Sequence, residues 1–446
     1  MLFKKNPGKL HIPHYKNTAN LAPVRITAPK EVLLPLDQHI GALAVPVVKV
    51  GDTVKIGQLV AEAGGPVSSN IYASVSGKVT KIEDCLRANG RVVPAIRIES
   101  DGLMEKYEEL TPPTVTDVDS LVEATRKAGL VGMGGAGFPT AVKFAALKNG
   151  TIHTILLNGA ECEPFITSDA RTMVDEPEYI YKGIKLIQSV APSVKQCIIG
   201  IEVNKPECIK ALNEISKDDS AVSVLSLPST YPQGAEKVLI YNAIGEIVPE
   251  GKLPADLGVI VLNVTTLATL AKYVEDGMPL VERCVTLDGS AVKEPKNVIV
   301  PIGTSVAEIV EFAGGLHEGR IKLIMGGPMT GRAGASLSEP ITKTSNAVVI
   351  MNEKDATPKK MTHCIHCGKC VDACPLSLNP SAFTDAHNIK NVDDKFAMLE
   401  DSRIMLCMEC GCCAFACPAG RPIIESIRIE KNSYRDYKAH QSSLKS

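Results

Sequence analysis

The stretch that decides the fold of this chain is a cysteine-rich run near its C-terminal end, CIHCGKCVDACP at residues 364–375. A second run, CMECGCCAFACP at residues 407–418, repeats its spacing. Each run has the form C-x2-C-x2-C-x3-C-P, and together they hold nine of the fourteen cysteines. Cysteines clustered in this way, in a chain whose N-terminal residues lack the apolar core of a secretory signal, indicate metal binding rather than disulfides.

The spacing is typical of bacterial two-cluster ferredoxins. Three closely spaced thiolates hold three irons of one [4Fe–4S] cluster, and the fourth cysteine, followed by proline, serves the other cluster. The prediction is therefore two clusters with crossed ligand sets, Cys364, Cys367, Cys370 and Cys417 for the first, and Cys407, Cys410, Cys413 and Cys374 for the second. A zinc site needs only four ligands and would leave half of these cysteines idle. The ninth cysteine, Cys412, is predicted to be a bystander.

Composition narrows the class of protein. The chain has 446 residues, of which 45% are hydrophobic and 22% charged, as in soluble proteins of several domains. Lys+Arg 48 against Asp+Glu 50 gives a net charge of -2, which argues against a partner as acidic as nucleic acid. The most apolar stretch, residues 257–271, is shorter than the roughly 20 residues of a transmembrane helix. We expect a cytosolic chain unless a partner holds it at a membrane.

Hydrophobic patterning predicts a β domain after an irregular segment at 1–29. Residues 30–105 contain short apolar runs split by turns, which favour a small β-sandwich. Within them, KVGDTVKIGQLVAEAGG (49–65) facing VSSNIYASVSGKVT (67–80) resembles a lipoyl/biotinyl-type domain. Carrier domains of that type present a lysine at the hairpin tip, but here the tip falls near Pro66 without one. The domain is therefore predicted to be a scaffold.

The rest of the chain predicts three further domains. Residues 116–280 alternate helices with strands at 152–158, 196–202, 222–227 and 258–264, which indicates an α/β domain with a mainly parallel sheet. Residues 281–350 show a β-hairpin, a helix and a strand, the order of a β-grasp module. Residues 355–446 form a helical two-cluster ferredoxin-type domain. The predicted fold class is multidomain α/β plus β.

A glycine loop, GMGGAGFP at residues 132–139, is the second chemical signal. It follows a predicted helix, whereas a dinucleotide-binding fingerprint follows a strand. Its accessible backbone N–H groups suit a phosphate or a flat ring, and Lys143 could neutralise a phosphate. Polar segments follow at residues 158–164 (NGAECEP), 231–236 (YPQGAE) and 262–267 (LNVTTL).

These segments together resemble the flavin-bearing, NADH-oxidising subunit of respiratory NADH dehydrogenase, the 51-kDa type. GMGGAGFPTAVK is similar to that family's GRGGAGFPTGLK, and NGAECEP to its NADESEP. The order of the whole chain resembles the RnfC family of the Rnf electron-transport complex from end to end. That order is a lipoyl-like module, a flavin domain, a β-grasp module and a two-cluster tail.

The resemblance implies a set of nucleotide-binding residues. Those implied for FMN are Gly132, Gly134, Gly135, Gly137, Lys143, Asn158, Tyr231, Gly234 and Asn263. Those implied for NAD(H) are Phe138, Glu161, Glu163 and Glu236. The sequence departs from the flavin family at Met133, Ala160, Ala235 and Leu262.

The function implied by the resemblance is the NAD-facing electron-transfer subunit of an ion-translocating ferredoxin:NAD+ oxidoreductase. Its cofactors would be two [4Fe–4S] clusters and FMN, with NAD(H) as substrate. Its partners would be the membrane subunits and the ferredoxin-accepting iron–sulfur subunit, which would hold it peripherally on the cytoplasmic face of the cell membrane. Two alternatives remain, a cobalamin reductase of metabolic microcompartments and a cluster-binding redox scaffold without nucleotide activity.

Overall fold

A computed structural model describes residues 9–443, so the outermost residues of the predicted segments 1–29 and 355–446 lie outside the described part. The chain divides into two compact units. The larger unit comprises His14–Leu227 and Leu253–Ala356. The cysteine unit comprises residues up to Pro13, Pro228–Lys252 and residues from Thr357 onward. Among the helices of residues 9–443, none is long and apolar enough to cross a membrane.

The larger unit begins with short strands, as the sequence predicted. They are β1 (Val24–Arg25), β2 (Glu31–Pro35), β3 (Val45–Pro46), β4 (Thr53–Val54), β5 (Leu59–Glu62), β6 (Ile71–Tyr72), β7 (Gly77–Leu86) and β8 (Val92–Ser100). From β2 onward they form two antiparallel sheets, in the orders β2-β8-β7-β4 and β3-β5-β6. Alternate residues such as Val32, Val60 and Ile98 are fully buried between the sheets. We call β2–β8 the N-terminal barrel.

An α/β region follows. Its elements are α1 (Val118–Lys127), α2 (Thr140–Phe144), β9 (Thr154–Asn158), α3 (Ser168–Asp175), α4 (Pro177–Val190), β10 (Gln196–Glu202), α5 (Pro206–Ser216), β11 (Val222–Leu227), α6 (Glu236–Ile244, within the cysteine unit), β12 (Val259–Asn263) and α7 (Val264–Asp276). The sheet is parallel throughout, in the order β11-β10-β9-β12. The four predicted strands are confirmed to within two residues at either end, because buried apolar runs between helices have few other conformations open to them. Helices α2, α3 and α6 were not predicted.

The third region of the larger unit is a second sheet. Its elements are β13 (Glu282–Asp288), β14 (Lys296–Pro301), α8 (Val306–Phe312), β15 (Ile321–Met325), β16 (Arg332–Ala333), β17 (Ala347–Asn352) and α9 (Glu353–Ala356). The predicted hairpin, helix and strand are confirmed as β13–β14, α8 and β15. The sheet order is β1-β14-β13-β17-β15-β16. Strand β1 therefore comes from the segment that was predicted to be irregular, because β14 offers it a parallel partner more than 270 residues away.

The cysteine unit is helical. Besides α6 it contains α10 (Lys369–Ala373), α11 (Pro380–Ala386), α12 (Val392–Asp401), α13 (Cys412–Ala416) and α14 (Ile423–Ser443). Its core consists of buried apolar side chains that include Phe383, Leu399 and Ile427. A bridge between Leu10 and Tyr231 joins the two earlier pieces of this unit. The multidomain α/β plus β class that the sequence predicted is confirmed.

Candidate functional site

The two cysteine motifs follow the same backbone path. Helices α10 and α13 each begin after a glycine in the left-handed region, Gly368 with φ 75° and Gly411 with φ 78°. Each helix ends at the fourth cysteine of its motif, Cys374 or Cys417, in an extended conformation. The repeat in sequence is thus also a repeat in structure, and glycine is required where it turns.

Backbone N–H groups point at the thiols in both motifs. The N–H of His366 lies 3.4 Å from the Cys364 sulfur, and that of Glu409 lies 3.4 Å from the Cys407 sulfur. Both donor residues have positive φ, 52° and 56°, which aims their N–H back at the first cysteine. Hydrogen bonds to sulfur are one of the means by which proteins set the potential of iron–sulfur clusters.

The thiols group across the two motifs rather than within them. Cys374, from the first motif, lines one cavity with Cys407, Cys410 and Cys413 of the second. The Cys417 thiol, from the second motif, lies near enough to raise the pKa of Cys370 in the first, as does Cys364. Cys367 is exposed. The membership of these two groups is that of the two predicted ligand sets.

The cavity of the second set fits a cluster. Its wall is apolar, with Leu376, Leu378 and Ile427 beside the thiols. Burial raises the pKa of Cys407 to about 12, so its thiolate needs a cation, and bound iron supplies one. Cys412 is 1% exposed and lines the same cavity, and its contact with Cys410 raises the pKa of Cys412. The predicted bystander is therefore a direct neighbour of the predicted ligands.

The glycine loop of the larger unit closes on itself between α1 and α2. Gly132 donates to the carbonyl of Phe138 at 2.8 Å, and Gly137 donates back to Gly132 at 3.0 Å. Residues 134–136 at the tip are exposed. A Cβ atom at Gly134 would lie 3.1 Å from the side-chain nitrogen of Asn263, so only glycine allows this close approach.

Several residues predicted for FMN meet at the carboxyl edge of the parallel sheet. Asn158 and Asn263 end the neighbouring strands β9 and β12 at the same register position. The Asn263 side chain accepts from Thr266 N at 3.1 Å and donates to Asp169 at 2.7 Å. Ligands of open parallel sheets bind at this edge. The exposed glycines beside two asparagine side chains fit a phosphate or a flat polar ring.

An arginine that sequence reasoning missed holds the glycine loop from beneath. Arg283, on β13, is 2% exposed and donates to the carbonyl of Met133 at 2.9 Å. It also donates to Ser345 at 3.1 Å. Burial lowers the pKa of Arg283 to about 10, which still leaves it charged at neutral pH. No local pattern marks this arginine, because it lies within an otherwise apolar strand.

The remaining residues predicted for FMN and NAD(H) occupy varied places. Lys143, on α2, donates to the carbonyl of Val261 at 3.0 Å. Phe138 is half-buried in the glycine loop. Tyr231, Gly234 and Glu236 belong to the cysteine unit. There the Tyr231 hydroxyl donates to the carbonyl of Cys410 at 2.7 Å.

The Glu161 carboxylate has a structural position. It accepts the backbone N–H groups of Asp169 at 2.8 Å and Ala170 at 3.4 Å, at the start of α3. It therefore satisfies N–H groups that the first turn of the helix leaves without partners. Burial raises the pKa of Glu161, while the ammonium groups of Lys16 and Lys205 act against that rise.

The Glu163 carboxylate reaches a different segment. It accepts the backbone N–H groups of Met329 at 3.0 Å and Thr330 at 2.8 Å, and the Thr330 hydroxyl as well. Burial raises the pKa of Glu163, and these donors oppose the rise. Glu163 thereby anchors the loop GGPMTG, residues 326–331, against the segment 158–164.

Lys16 is a second contribution that sequence reasoning missed. Its ammonium donates to the backbone carbonyls of Glu161, Glu163 and Ile166 at 2.6–2.8 Å. Burial lowers the pKa of Lys16, and the Glu161 carboxylate opposes that shift. One side chain from the N-terminal segment thus holds the acidic loop in shape.

A cavity of about 460 Å³ opens beside the glycine loop, within the larger unit. Its walls are residues 134–137, Glu163, the 326–331 loop and residues 37–40 of the N-terminal barrel. Arg87 lies in the wall, 3.1 Å from Asp37 and 3.3 Å from Glu339. We call this space the loop cavity. Its size and its mixture of backbone, acidic and basic groups are suited to a polar small molecule.

Comparison with protein families agrees with this arrangement. Residues 4–103 match the family described as RnfC Barrel sandwich hybrid domain, and residues 125–272 match the Nuo51 FMN-binding domain. Residues 284–333 match the SLBB domain, and residues 360–421 match the 4Fe-4S dicluster domain. The chain is thus a multidomain redox protein that contains an FMN-binding domain and an iron–sulfur dicluster domain.

Relatives of known identity define the family. The chain is 40% identical to the RnfC-type member of the Na(+)-translocating ferredoxin:NAD(+) oxidoreductase complex of Acetobacterium woodii, over 95% of this chain and 96% of that one. It is 43% identical to the proton-translocating counterpart of Clostridium ljungdahlii, over 82% of this chain and 80% of the relative. It is 42% identical to the corresponding protein of the ion-translocating oxidoreductase complex of Pseudomonas aeruginosa, of which it covers 49%. The chain belongs to the RnfC family, whose members are components of the Rnf ion-translocating oxidoreductase complexes.

A solved structure shares the fold alone. A chain of the NAD+-reducing [NiFe]-hydrogenase in its H2-reduced state superposes with a TM-score of 0.50 at 19% identity. The match covers 72% of this chain and 64% of that one. The family that the sequence resembled is therefore confirmed by the curated relatives, and the chain is an electron-transfer subunit of an Rnf complex.

Proposed function

We propose that this chain is the NAD-facing subunit of a ferredoxin:NAD+ oxidoreductase that couples electron flow to ion translocation, and that it carries FMN and two [4Fe–4S] clusters. The observation that carries the proposal is the crossed grouping of the thiols, in which Cys374 joins the second motif and Cys417 the first. Two ligand sets imply two clusters, which relay single electrons. The names of the relatives supply ferredoxin and NAD+ as the two ends of the reaction.

The cysteine unit would hold the clusters. The first would bind Cys364, Cys367, Cys370 and Cys417, and the second Cys407, Cys410, Cys413 and Cys374. The residues around them keep water from the second set and direct backbone N–H groups at sulfur. Its fold would be of the two-cluster ferredoxin type, within predicted bounds of 355–446.

The larger unit would hold FMN at the carboxyl edge of its parallel sheet. Gly132, Gly134, Gly135 and Gly137 offer backbone N–H groups, Lys143 an ammonium, and Asn158 and Asn263 side-chain amides. Arg283 fixes the loop through Met133, so these donors are held in place before a ligand arrives. Roles for Tyr231 and Gly234 toward FMN remain predictions from the resemblance.

NAD(H) would occupy the loop cavity. Phe138 and Glu163 lie in or beside the segments that form it, and Glu161 sets the conformation of the acidic loop. Glu236 keeps its predicted role from the resemblance. When bound, FMN supplies the link between the two-electron chemistry of NAD(H) and the one-electron chemistry of the clusters. The chain's own residues bind and orient, and no acid or base is required.

The other parts of the chain would be scaffolds. The N-terminal barrel would be a lipoyl-like module over 30–105 without a carrier lysine, and 281–350 would be a β-grasp module beside the α/β domain of 116–280. The chain would be held at the cytoplasmic face of the membrane by the membrane subunits and by the ferredoxin-accepting iron–sulfur subunit.

Anaerobic reconstitution of the complete chain tests the proposal. We expect about eight irons per chain, one FMN, and bleaching of the flavin absorbance on addition of NADH. About four irons, or zinc in their place, would contradict the two-cluster part. A flavin that ferredoxin-reduced clusters reduce but NADH does not would contradict the NAD-facing part.

A further inference from the structure

The loop cavity receives two polar groups from the N-terminal barrel that are not among the residues predicted for FMN or NAD(H). Gln38 and His39 follow β2, and both line the cavity. Gln38 is 1% exposed and His39 is 8% exposed. Within the described residues 9–443, Gln38 Nε2 and His39 Nε2 are buried without a hydrogen-bond partner. Buried polar atoms of native proteins are nearly always paired, so two orphans at one cavity indicate a ligand.

The chemical role of each atom follows from the bonds its neighbour makes. The Gln38 Oε1 atom accepts the backbone N–H of Lys343 at 3.1 Å, so the free end of that amide is the donor. The His39 Nδ1 atom lies 3.3 Å from the carbonyl oxygen of Ile40, so Nδ1 carries the proton. The Nε2 atom then presents a lone pair. Consecutive residues therefore offer one donor and one acceptor.

Two further features keep this pair fixed and neutral. Ile40 donates its backbone N–H to the carbonyl of Gly137 at 2.9 Å, which fastens the barrel segment to the glycine loop. A Cβ atom at Gly137 would lie 3.0 Å from Thr344, so the fit depends on glycine there. Burial, helped by the charge of Lys343, lowers the pKa of His39 to about 4, and the ring is neutral at physiological pH.

We propose that Gln38 and His39 select the nicotinamide nucleotide by reading a planar edge in which an amino group stands next to an acceptor. Gln38 donates to the acceptor, and His39 accepts from the amino group. Glutamine reads the amino edge of adenine in nucleic acids by the same geometry. NAD presents such an edge twice, in the carboxamide of nicotinamide and in the aminopyrimidine of adenine. The inference rests on the proposed function, because it takes NAD(H) as the ligand of this cavity.

Calorimetric titration of the complete, reconstituted chain with three dinucleotides separates the two edges. They are NAD+, the analogue in which a carboxylate replaces the carboxamide, and the analogue in which hypoxanthine replaces adenine. We expect the wild-type chain to bind one analogue about tenfold more weakly than NAD+, and that analogue identifies the edge that is read. In His39→Phe, which keeps a flat ring without nitrogen, NAD+ and that analogue should bind equally. His317→Phe, at an exposed histidine, is the matched control and should keep the discrimination.

The outcomes separate this inference from the proposed function. Failure of the wild-type chain to bind NAD+ at all would overturn the proposed function. Binding of NAD+ with no discrimination, or discrimination that survives in His39→Phe, would overturn the inference alone. Gln38→Met removes the donor at nearly equal length and is the second variant. It should weaken NAD+ about tenfold and also lose the discrimination, and unchanged binding would overturn the inference even if His39→Phe did not fold.

Discussion

The ammonium of Lys16 donates a 2.7 Å hydrogen bond to the backbone carbonyl of Glu163, which lies 147 residues further along the chain. The same ammonium donates to the carbonyls of Glu161 and Ile166. The loop between them contributes the Glu163 carboxylate that anchors the 326–331 loop. Two walls of the loop cavity therefore depend on one side chain of the N-terminal segment.

Lys16→Met should lower the free energy of unfolding by about 2–4 kcal/mol, because three carbonyls lose their donor together. The midpoint of urea unfolding measures the change. Lys322→Met, at an exposed lysine, is the control and should leave the midpoint unchanged. An equal midpoint for Lys16→Met and the control would show that water replaces the ammonium without cost.

Cys374→Ser should remove about half of the iron. The reason is that the Cys374 thiol lies among those of the second motif, and a cluster that loses one of its four ligands is labile. Cys412→Ser is the control at a neighbouring buried thiol, and its iron content should stay at about eight per chain. Iron analysis together with the paramagnetic signal of the reduced chain distinguishes them. Loss of iron in Cys412→Ser but not in Cys374→Ser would reverse the predicted ligand set.

Lys143→Ala should weaken retention of FMN by about 10- to 150-fold, the loss of one charge-assisted hydrogen bond of about 1.5–3 kcal/mol to a phosphate. Flavin content after desalting at graded dilution measures it. Lys148→Ala is the control, because that lysine pairs with Asp119 at the surface. Flavin retained equally by both variants would remove Lys143 from the predicted FMN site.

Glu163→Gln should weaken the response to NADH by about 10- to 150-fold while flavin and iron remain bound. The amide keeps one acceptor oxygen but sets its NH2 group against a backbone N–H of Met329 or Thr330, so the 326–331 loop loses half of its anchor. The rate of flavin bleaching against NADH concentration measures the effect. Thr330→Val removes only the hydroxyl donor and should have a smaller effect. Unchanged NADH kinetics in Glu163→Gln would show that the carboxylate serves neither the loop nor the nucleotide.

Lys343 predicts a dependence of stability on pH. Its ammonium is fully buried and donates to Ser69 at 3.1 Å and to the carbonyl of Gly129 at 2.8 Å. Burial lowers the pKa of Lys343 from 10.5 to about 7. Between these values the unfolded chain binds more protons than the folded chain, so the free energy of unfolding rises with pH from about 7 to about 10.5.

Lys343→Met should remove this rise, which amounts to at most about 1.4 kcal/mol per pH unit for one proton. Urea unfolding of both proteins at several pH values between 7.5 and 10 measures the difference in slope. Lys322→Met should keep the wild-type slope. Parallel pH profiles for the wild type and Lys343→Met would mean that Lys343 keeps its ordinary pKa in the folded chain.

Much of the architecture could be predicted because its signals are local. The spacing of Cys364 to Cys417 implies two crossed ligand sets, and the parallel strands ending at Asn158 and Asn263 were visible as apolar runs between helices. Spacing and periodicity depend on residues a few positions apart, so they survive in the sequence without any knowledge of packing. The glycine loop belonged to the same class of signal, because its glycines lie within a few residues of one another.

Contacts between distant segments were decided by the tertiary structure alone. Lys16 on the acidic loop, Arg283 beneath Met133, and Gln38 and His39 at the loop cavity each join parts of the chain about 100 residues or more apart. A single lysine, arginine or histidine has the same composition and local pattern whether it faces water or is buried against a carbonyl. Only packing removes the water and leaves that side chain with one partner, so the sequence by itself determined which cofactors to expect, and the fold decided which side chains surround them.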